Sequence, residues 1–269
     1  TERAATMDAP MDARELETLL RYRRELDEIG AETEPSARIV APPAAAASPI
    51  RRVAVFPGAF NPPTLAHVAL ADAARDLPFD AIFFSVGRVT LDKDDSGLLR
   101  EDRLWLLCRL ATRDSRFGVV VQNRGLYSEM SESMRRLLPE LEDLAFIIGT
   151  DKVPQLFEPK YYDDTDARLD SLFRKARFLV APRGTDTRAA LEEILSTPPA
   201  SRFADRFAWL PVPERWRGVS ASLARDGWVR GDTGERHLPA EVTAFLRRSG
   251  AFADPGRYRE RAAVLERSS

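Results

Sequence analysis

From Arg51 onward, short apolar runs alternate with stretches whose apolar positions recur at helical spacing. The apolar runs fall at 52–56, 81–86, 117–121, 145–148, 177–181 and 207–212, each of strand length. Helical periodicity predicts helices near 65–75, 100–112, 129–138, 169–175, 187–195, 222–228 and 239–249. A parallel pair needs a long crossover, usually a helix, so this alternation predicts a parallel sheet covered on both faces. The runs Val53-Ala-Val-Phe56, Ala145-Phe-Ile-Ile148 and Phe178-Leu-Val-Ala181 are continuous rather than alternating, as strands buried on both faces require. In such sheets ligands collect at the carboxyl ends of the strands. The strand ends are therefore where chemistry is sought first.

Residues 1–50 read differently. A charged stretch over 12–28 carries Leu16, Leu19, Leu20 and Leu26, with Ile29 beyond it, at a loose helical spacing. It is followed by Ala41-Pro-Pro-Ala-Ala-Ala-Ala-Ser-Pro49, where proline stops both helix and ladder. The pattern predicts an N-terminal extension and Ala/Pro-rich linker over 1–50, a catalytic domain over 51–252 and a tail over 253–269. The acidic stretch 158–170, with Asp163, Asp164, Asp166 and Asp170, reads as a solvated loop.

Composition narrows the possibilities. In 269 residues, 40 basic and 42 acidic side chains leave a formal net charge of −2. That balance argues against a protein that coats nucleic acid, which usually carries a basic excess. A single cysteine, Cys108, allows no internal disulfide and sits in an apolar stretch that suggests a core side chain. With only two histidines, His67 and His237, a multi-histidine metal site is excluded. No apolar run approaches the roughly 20 residues that span a bilayer, and residues 1–10 lack a basic-then-apolar signal pattern. The expectation is a cytoplasmic protein without membrane or nucleic-acid partners; assembly into a homo-oligomer is left open.

The first strand end runs Pro57-Gly58-Ala59-Phe60-Asn61-Pro62-Pro63-Thr64-Leu65-Ala66-His67. Gly58 lets the backbone approach a ligand closely. Pro62 and Pro63 push the helix start to Thr64, so that Thr64 and His67 share one face of its first turn. A helix N-terminus with an added hydroxyl and imidazole suits a phosphate, although a plain N-cap explains Thr64 equally well. The stretch resembles the His-x-x-His signature of the nucleotidyltransferase superfamily. It is closest to the Thr-x-x-His form of nicotinamide mononucleotide adenylyltransferases, with Ala59 in place of the usual serine. The resemblance implies a Rossmann-like, doubly wound α/β sheet. It also implies that His67 and Thr64 act on ATP phosphates, with Gly58, Ala59 and Phe60 lining the ATP site and Asn61 facing the acceptor.

Three later stretches extend the resemblance across 51–252. Gly218-Val-Ser220-Ala221-Ser222-Leu-Ala-Arg225 resembles the family's second signature, Ile-Ser-Ser-Thr-x-x-Arg. A serine there can cap a helix and still present a hydroxyl, and the planar fork of Arg225 suits a phosphate. By resemblance Ser220, Ser222 and Arg225 bind ATP, with Arg225 catalytic; Ala221 replaces a serine of the signature. Phe146-Ile-Ile-Gly149-Thr150-Asp151 resembles the Gly-x-Asp element, which implies that Gly149 and Asp151 meet a nucleotide ribose. Phe178-Leu-Val-Ala-Pro182-Arg183 resembles a strand that brings Arg183 to the acceptor, and Lys93 occupies a loop where relatives place a phosphate-contacting lysine. Tyr127, after the third strand, ranks first among the aromatic candidates for the acceptor ring, ahead of Trp105, Phe157, Tyr161 and Tyr162.

The implied reaction is attack by a mononucleotide phosphate oxygen on the α-phosphorus of ATP, with pyrophosphate leaving and Mg²⁺ accompanying ATP. The sequence itself shows no dedicated metal site. Positioning and charge neutralisation carry such transfers, which accounts for a signature without a nucleophile. Two alternatives stay open: the same chemistry on another phosphomonoester, and a nucleotide-binding sensor that has lost catalysis.

Overall fold

Residues 11–30, 34–45, 49–88, 97–158, 165–232 and 234–268 are described in the computed structural model. In chain order they form α1 (Ala13–Glu28), β1 (Ala37–Ala41), β2 (Arg52–Pro57), α2 (Leu65–Arg75), β3 (Ala81–Gly87), α3 (Arg100–Ala111) and β4 (Phe117–Gln122). There follow α4 (Tyr127–Leu137), β5 (Asp143–Gly149), α5 (Thr165–Lys175), β6 (Arg177–Ala181), α6 (Arg188–Leu195) and β7 (Phe207–Trp209). The chain closes with α7 (Glu214–Arg217), α8 (Ala221–Arg230), α9 (Ala240–Ser249) and α10 (Pro255–Arg267).

The seven strands lie in the order β1-β4-β3-β2-β5-β6-β7. All neighbouring pairs from β4 to β7 are parallel, and β1 alone runs antiparallel, along the free side of β4. From β2 the chain steps outward to β3 and β4, then returns to lay β5 on the other side of β2. The direction of winding thus reverses between β2 and β5, and in such sheets ligands bind at that point, outside the carboxyl ends of the strands.

Strand alternation builds the two layers. Val53 and Val55 of β2 join Phe83, Met130, Met134, Phe146, Leu172 and Phe178 on the side covered by α4 and α5. Ala54 and Phe56 point the other way, to Leu19, Ala71, Phe84, Leu104 and Leu107 beneath α1, α2 and α3. Both faces of one strand are buried, which is why its sequence reads as an unbroken apolar run. A smaller cluster of Leu98, Leu106, Ala224, Val242, Phe245 and Leu246 fastens α9 to α3 and α8.

The two ends of the chain differ from the sequence expectation. The sequence pattern sets residues 1–50 outside the core, yet Leu19, Tyr22, Leu26 and Ile29 are buried in it and β1 extends the sheet. The same pattern reads the stretch after 252 as a tail, yet α10 docks with Leu265 fully buried. Arg261 ties it down, reaching Asp102 of α3 at 2.6 Å and Glu15 of α1 at 2.9 Å. The last strand stops at Trp209 rather than 212, where Pro211 and Pro213 lack the N–H a ladder needs. Asp166 and Asp170 pair with Arg202 at 2.8 and 3.0 Å, while Asp163 and Asp164 lie outside the described residues. Cys108 is half-buried against the core rather than within it, and burial pushes its thiol up. Among the described residues no helix is long and apolar enough to cross a membrane.

Candidate active site

The turn after β2 is built around Phe60. Its ring is buried, and its backbone adopts a left-handed conformation with φ 47°, uncommon for any residue but glycine. The ring fills the space a side chain at position 58 would need: a Cβ there would stand 2.9 Å from Phe60 Cζ. Gly58 therefore serves the fold of the turn itself, and its N–H donates to the Ser85 carbonyl at 3.1 Å. Ala59 is half-exposed beside it. The buried Asn61 accepts the Leu98 N–H on Oδ1 at 2.9 Å.

Pro62 and Pro63 then deliver the chain to Thr64, which caps α2. The cap is reciprocal. The His67 N–H donates to Thr64 Oγ1 at 3.4 Å, and the Thr64 N–H donates to His67 Nδ1 at 2.9 Å. Thr64 Oγ1 also lies 2.9 Å from Nδ1. Nδ1 is thus an acceptor, which assigns the proton of the neutral ring to Nε2. The ring is half-buried between Phe60, at 4.9 Å between centroids, and Phe56, at 5.7 Å. Thr64 and His67 therefore have a structural role as a capping pair, and the same pair fixes Nε2 as a hydrogen-bond donor.

A second assembly lies across the switch point, at the ends of β5 and β6. Gly149 ends β5, and a Cβ added to it would stand 2.3 Å from Asp151 Oδ1 and 3.1 Å from Arg183. Asp151 is exposed and pairs with Arg183 Nε at 3.5 Å. The buried Thr150 accepts the Arg183 N–H at 3.1 Å and donates its hydroxyl to Asp186. Arg183 Nη1 reaches onward to the Val219 carbonyl at 3.2 Å, and the Gly184 N–H to that of Arg217 at 2.9 Å. One arginine thus joins the end of β5, the end of β6 and the entry to α8. The joining role of Thr150 and Asp186 was not singled out from the sequence; the hydroxyl between Gly149 and Asp151 was the available signal.

Ser220 caps α8 by accepting the Leu223 N–H at 3.1 Å, and Ser222 is exposed on the first turn. Arg225 is half-buried, its guanidinium 5.9 Å over the Phe252 ring. The helix bearing His67 packs against α7, which ends at Arg217, just ahead of Ser220. The entry to α2 follows the carboxyl end of β2, the end of the sheet that also carries Gly149, Asp151 and Arg183, and Arg183 ties that end to the entry of α8 through Val219. Tyr127 is half-buried at the first residue of α4. Its ring packs edge-on against Phe146 at 5.1 Å and Phe178 at 5.4 Å, in the opposite layer from His67. Trp105 packs against Phe245, and Phe157 against Phe173. Lys93, Tyr161 and Tyr162 lie outside the described residues. Among the described residues no group of three or more His, Cys, Asp or Glu side chains could hold a metal ion.

No family model matches the chain. Over 135 residues it is 30% identical to a probable nicotinate-nucleotide adenylyltransferase of Listeria innocua, a match that spans 48% of this chain and 68% of that protein. Among solved structures it is similar to the nicotinic acid mononucleotide adenylyltransferase of Plasmodium falciparum. The form complexed with NaAD gives a TM-score of 0.53 at 16% identity, and the form complexed with APC gives 0.50 at 15%. Each covers 73% of this chain and 95% of the other. At these identities the structural likeness concerns the fold, which is the same α/β arrangement.

Proposed function

Since the chain belongs to the nicotinate-nucleotide adenylyltransferase family, we propose that it transfers AMP from ATP to nicotinate or nicotinamide mononucleotide. The acceptor phosphate oxygen attacks the α-phosphorus, the bond to the bridging oxygen breaks, and pyrophosphate leaves with its electron pair. No covalent intermediate on the protein is needed. The product is the corresponding dinucleotide.

One arrangement supports this reading above the others: two capped helix entries, α2 and α8, held at the switch-point end of the sheet. Helix N-termini present unpaired N–H groups and partial positive charge, so in the proposal the triphosphate lies between them. In the proposal His67 donates from Nε2 to the phosphates and stabilises the charge that grows on the leaving pyrophosphate. Thr64 sets the tautomer that makes this donation available. Ser220, Ser222 and Arg225 hold the triphosphate from α8, and Gly58, Ala59 and Phe60 line its path. Gly149 and Asp151 receive a ribose, while Asn61 and Arg183 face the acceptor. Tyr127 is given no direct part, because its ring is committed to the packing of Phe146 and Phe178.

Magnesium belongs to this proposal as part of the substrate, entering on the ATP phosphates. Two acidic groups after the ends of β5 and β6 are already engaged: Asp151 with Arg183, and Asp186 with Thr150. The proposal places the reaction in the cytoplasm, in keeping with a lone, half-buried, free cysteine.

The names of the relatives point to nicotinate mononucleotide, and the Thr64-x-x-His67 form resembles enzymes that take nicotinamide. Offering the purified protein ATP, Mg²⁺ and each mononucleotide in turn decides between them. Equal amounts of pyrophosphate and dinucleotide are expected from at least one. ATP binding without turnover on either would favour the sensor alternative, for which Ala221 is the specific motive.

A further inference from the structure

The backbone just ahead of α3 is held by three side chains from three parts of the chain. The Leu98 N–H donates to Asn61 Oδ1 at 2.9 Å, and the Leu98 carbonyl accepts from Arg103 Nε at 2.8 Å. The Leu99 N–H donates to the Tyr258 hydroxyl at 2.8 Å. Gly97, immediately before, has φ 111°, and a Cβ there would fall 2.6 Å from the Asn61 amide. The segment therefore lies against Asn61 with no room for a looser fit.

Tyr258 comes from α10, beyond the region that resembles the nucleotidyltransferases. Its hydroxyl donates to Asp102 Oδ2 at 2.6 Å while accepting from Leu99. Asp102 is fully buried and receives Arg261 Nη2 at 2.6 Å; Arg261 in turn reaches Glu15, which also holds Arg248 at 2.8 Å. Burial and the neighbouring Asp102 carboxylate push the phenol well above its ordinary range, so it stays protonated and directional. The chain of bonds runs from the core of the ionic cluster through Tyr258 and the Leu98–Leu99 backbone to Asn61.

We propose that Tyr258 is a positioning residue for the acceptor site: its hydroxyl fixes the Leu98–Leu99 backbone, which holds the Asn61 carboxamide in place for the mononucleotide. This rests on the adenylyltransferase reading, in which Asn61 faces the acceptor. A hydroxyl lost from α10 displaces a group in the site by a fraction of an ångström, and misplacement on that scale weakens productive binding.

The test is Tyr258→Phe, which keeps the ring and removes the hydroxyl. Expected is a rise of about fivefold in KM for the mononucleotide, with KM for ATP within about twofold of the parent. A merely structural role predicts instead a lower active fraction, which reduces kcat and leaves both KM values alone. In an Asn61→Ala background the Tyr258→Phe change is expected to add nothing further, because both act through one contact. Arg248→Ala, which cuts the same cluster at its far end, is expected to leave both KM values unchanged. Unchanged acceptor KM in Tyr258→Phe, or an additive effect in the double variant, would overturn the inference. Should the variant fail to fold, amide exchange in the unaltered protein decides: protection at Leu98 and Leu99 should rise when the mononucleotide binds, and unchanged protection counts against it. A parent that makes no dinucleotide at all marks failure of the functional reading, and this inference falls with its premise.

Discussion

The imidazole of His67 closes the cap of its own helix, its Nδ1 accepting the Thr64 N–H at 2.9 Å. A residue assigned to phosphate chemistry thus also has a purely structural occupation, and the two can be separated by substitution. His67→Ala removes both. It is expected to cost about 1 kcal/mol of stability from the lost cap. It should also cost at least about 2 kcal/mol of transition-state stabilisation, roughly a 30-fold fall in kcat/KM. His67→Glu restores the Thr-x-x-Glu capping box but sets a carboxylate against the phosphates. Its unfolding midpoint should return towards the parent's while its activity stays at or below that of the alanine variant. Activity that recovers together with stability would mean that His67 is only a cap.

Gly149→Ala is expected to act on nucleotide binding more than on folding. The new Cβ would sit 2.3 Å from Asp151 Oδ1 and 3.1 Å from Arg183, both of them flexible and partly exposed groups that can move aside. Moving them breaks the link from β5 through Arg183 to the Val219 carbonyl. Titration calorimetry with ATP and with the mononucleotide should show affinity reduced by about tenfold for at least one ligand. An unfolding midpoint close to the parent's should accompany it. Unchanged affinity for both ligands would remove Gly149 and its neighbours from the site.

How much of this was legible beforehand follows from where the information resides. The turn Pro57 to His67 could be placed from sequence because Pro62, Pro63 and Thr64 are local signals for a helix start, and no distant contact is needed to read them. Strand β1 could not. Ala37–Ala41 is short, and none of its side chains is fully buried. It becomes a strand only because β4 offers an unpaired edge, with Ala37 opposite Gln122. Helix α10 was hidden for a related reason. Arginine and glutamate interrupt its apolar positions, and it docks through Leu265 and an ion pair to Asp102, a residue that looks like an ordinary charged position on α3 until it is found fully buried. Arg183 and Asp151 were each named singly; their pairing, with Thr150 and Val219 beside them, depends on two strand ends being adjacent, which sequence order does not state.

Asp80 provides a pH-dependent check on the framework. Its carboxylate accepts the Arg52 N–H at 2.8 Å and the Arg51 N–H at 3.0 Å, and pairs with the Arg52 guanidinium at 3.2 Å, pinning the start of β2. Partial burial pushes this carboxyl up, and the bonds from Arg52 and Arg51 outweigh it, holding the group below the ordinary carboxylate range. The unfolded chain therefore takes up a proton at a pH where the folded one does not. The stabilisation is full above the ordinary carboxylate pKa and fades as pH falls through the lower folded value. Asp80→Asn is expected to lose about 1 kcal/mol at pH 7, measured by urea unfolding, with the gap to the parent narrowing in strong acid. A gap that stays constant with pH would contradict the assignment.

Removing magnesium should separate substrate from scaffold. With no cluster of metal-ligating side chains among the described residues, chelation is expected to abolish turnover and leave the unfolding midpoint of the nucleotide-free protein unchanged. A chelator-induced fall in that midpoint would reveal a resident ion that this account does not include.

The central claim is that ATP and a pyridine mononucleotide react at the switch point beneath α2 and α8. Its most direct measurement is a single time course with ATP, Mg²⁺ and nicotinate or nicotinamide mononucleotide, following pyrophosphate and dinucleotide together, in the parent and in Arg225→Ala. The account predicts equimolar products from the parent and a loss of at least about tenfold in the variant. Pyrophosphate without dinucleotide, or a variant as active as the parent, would contradict it.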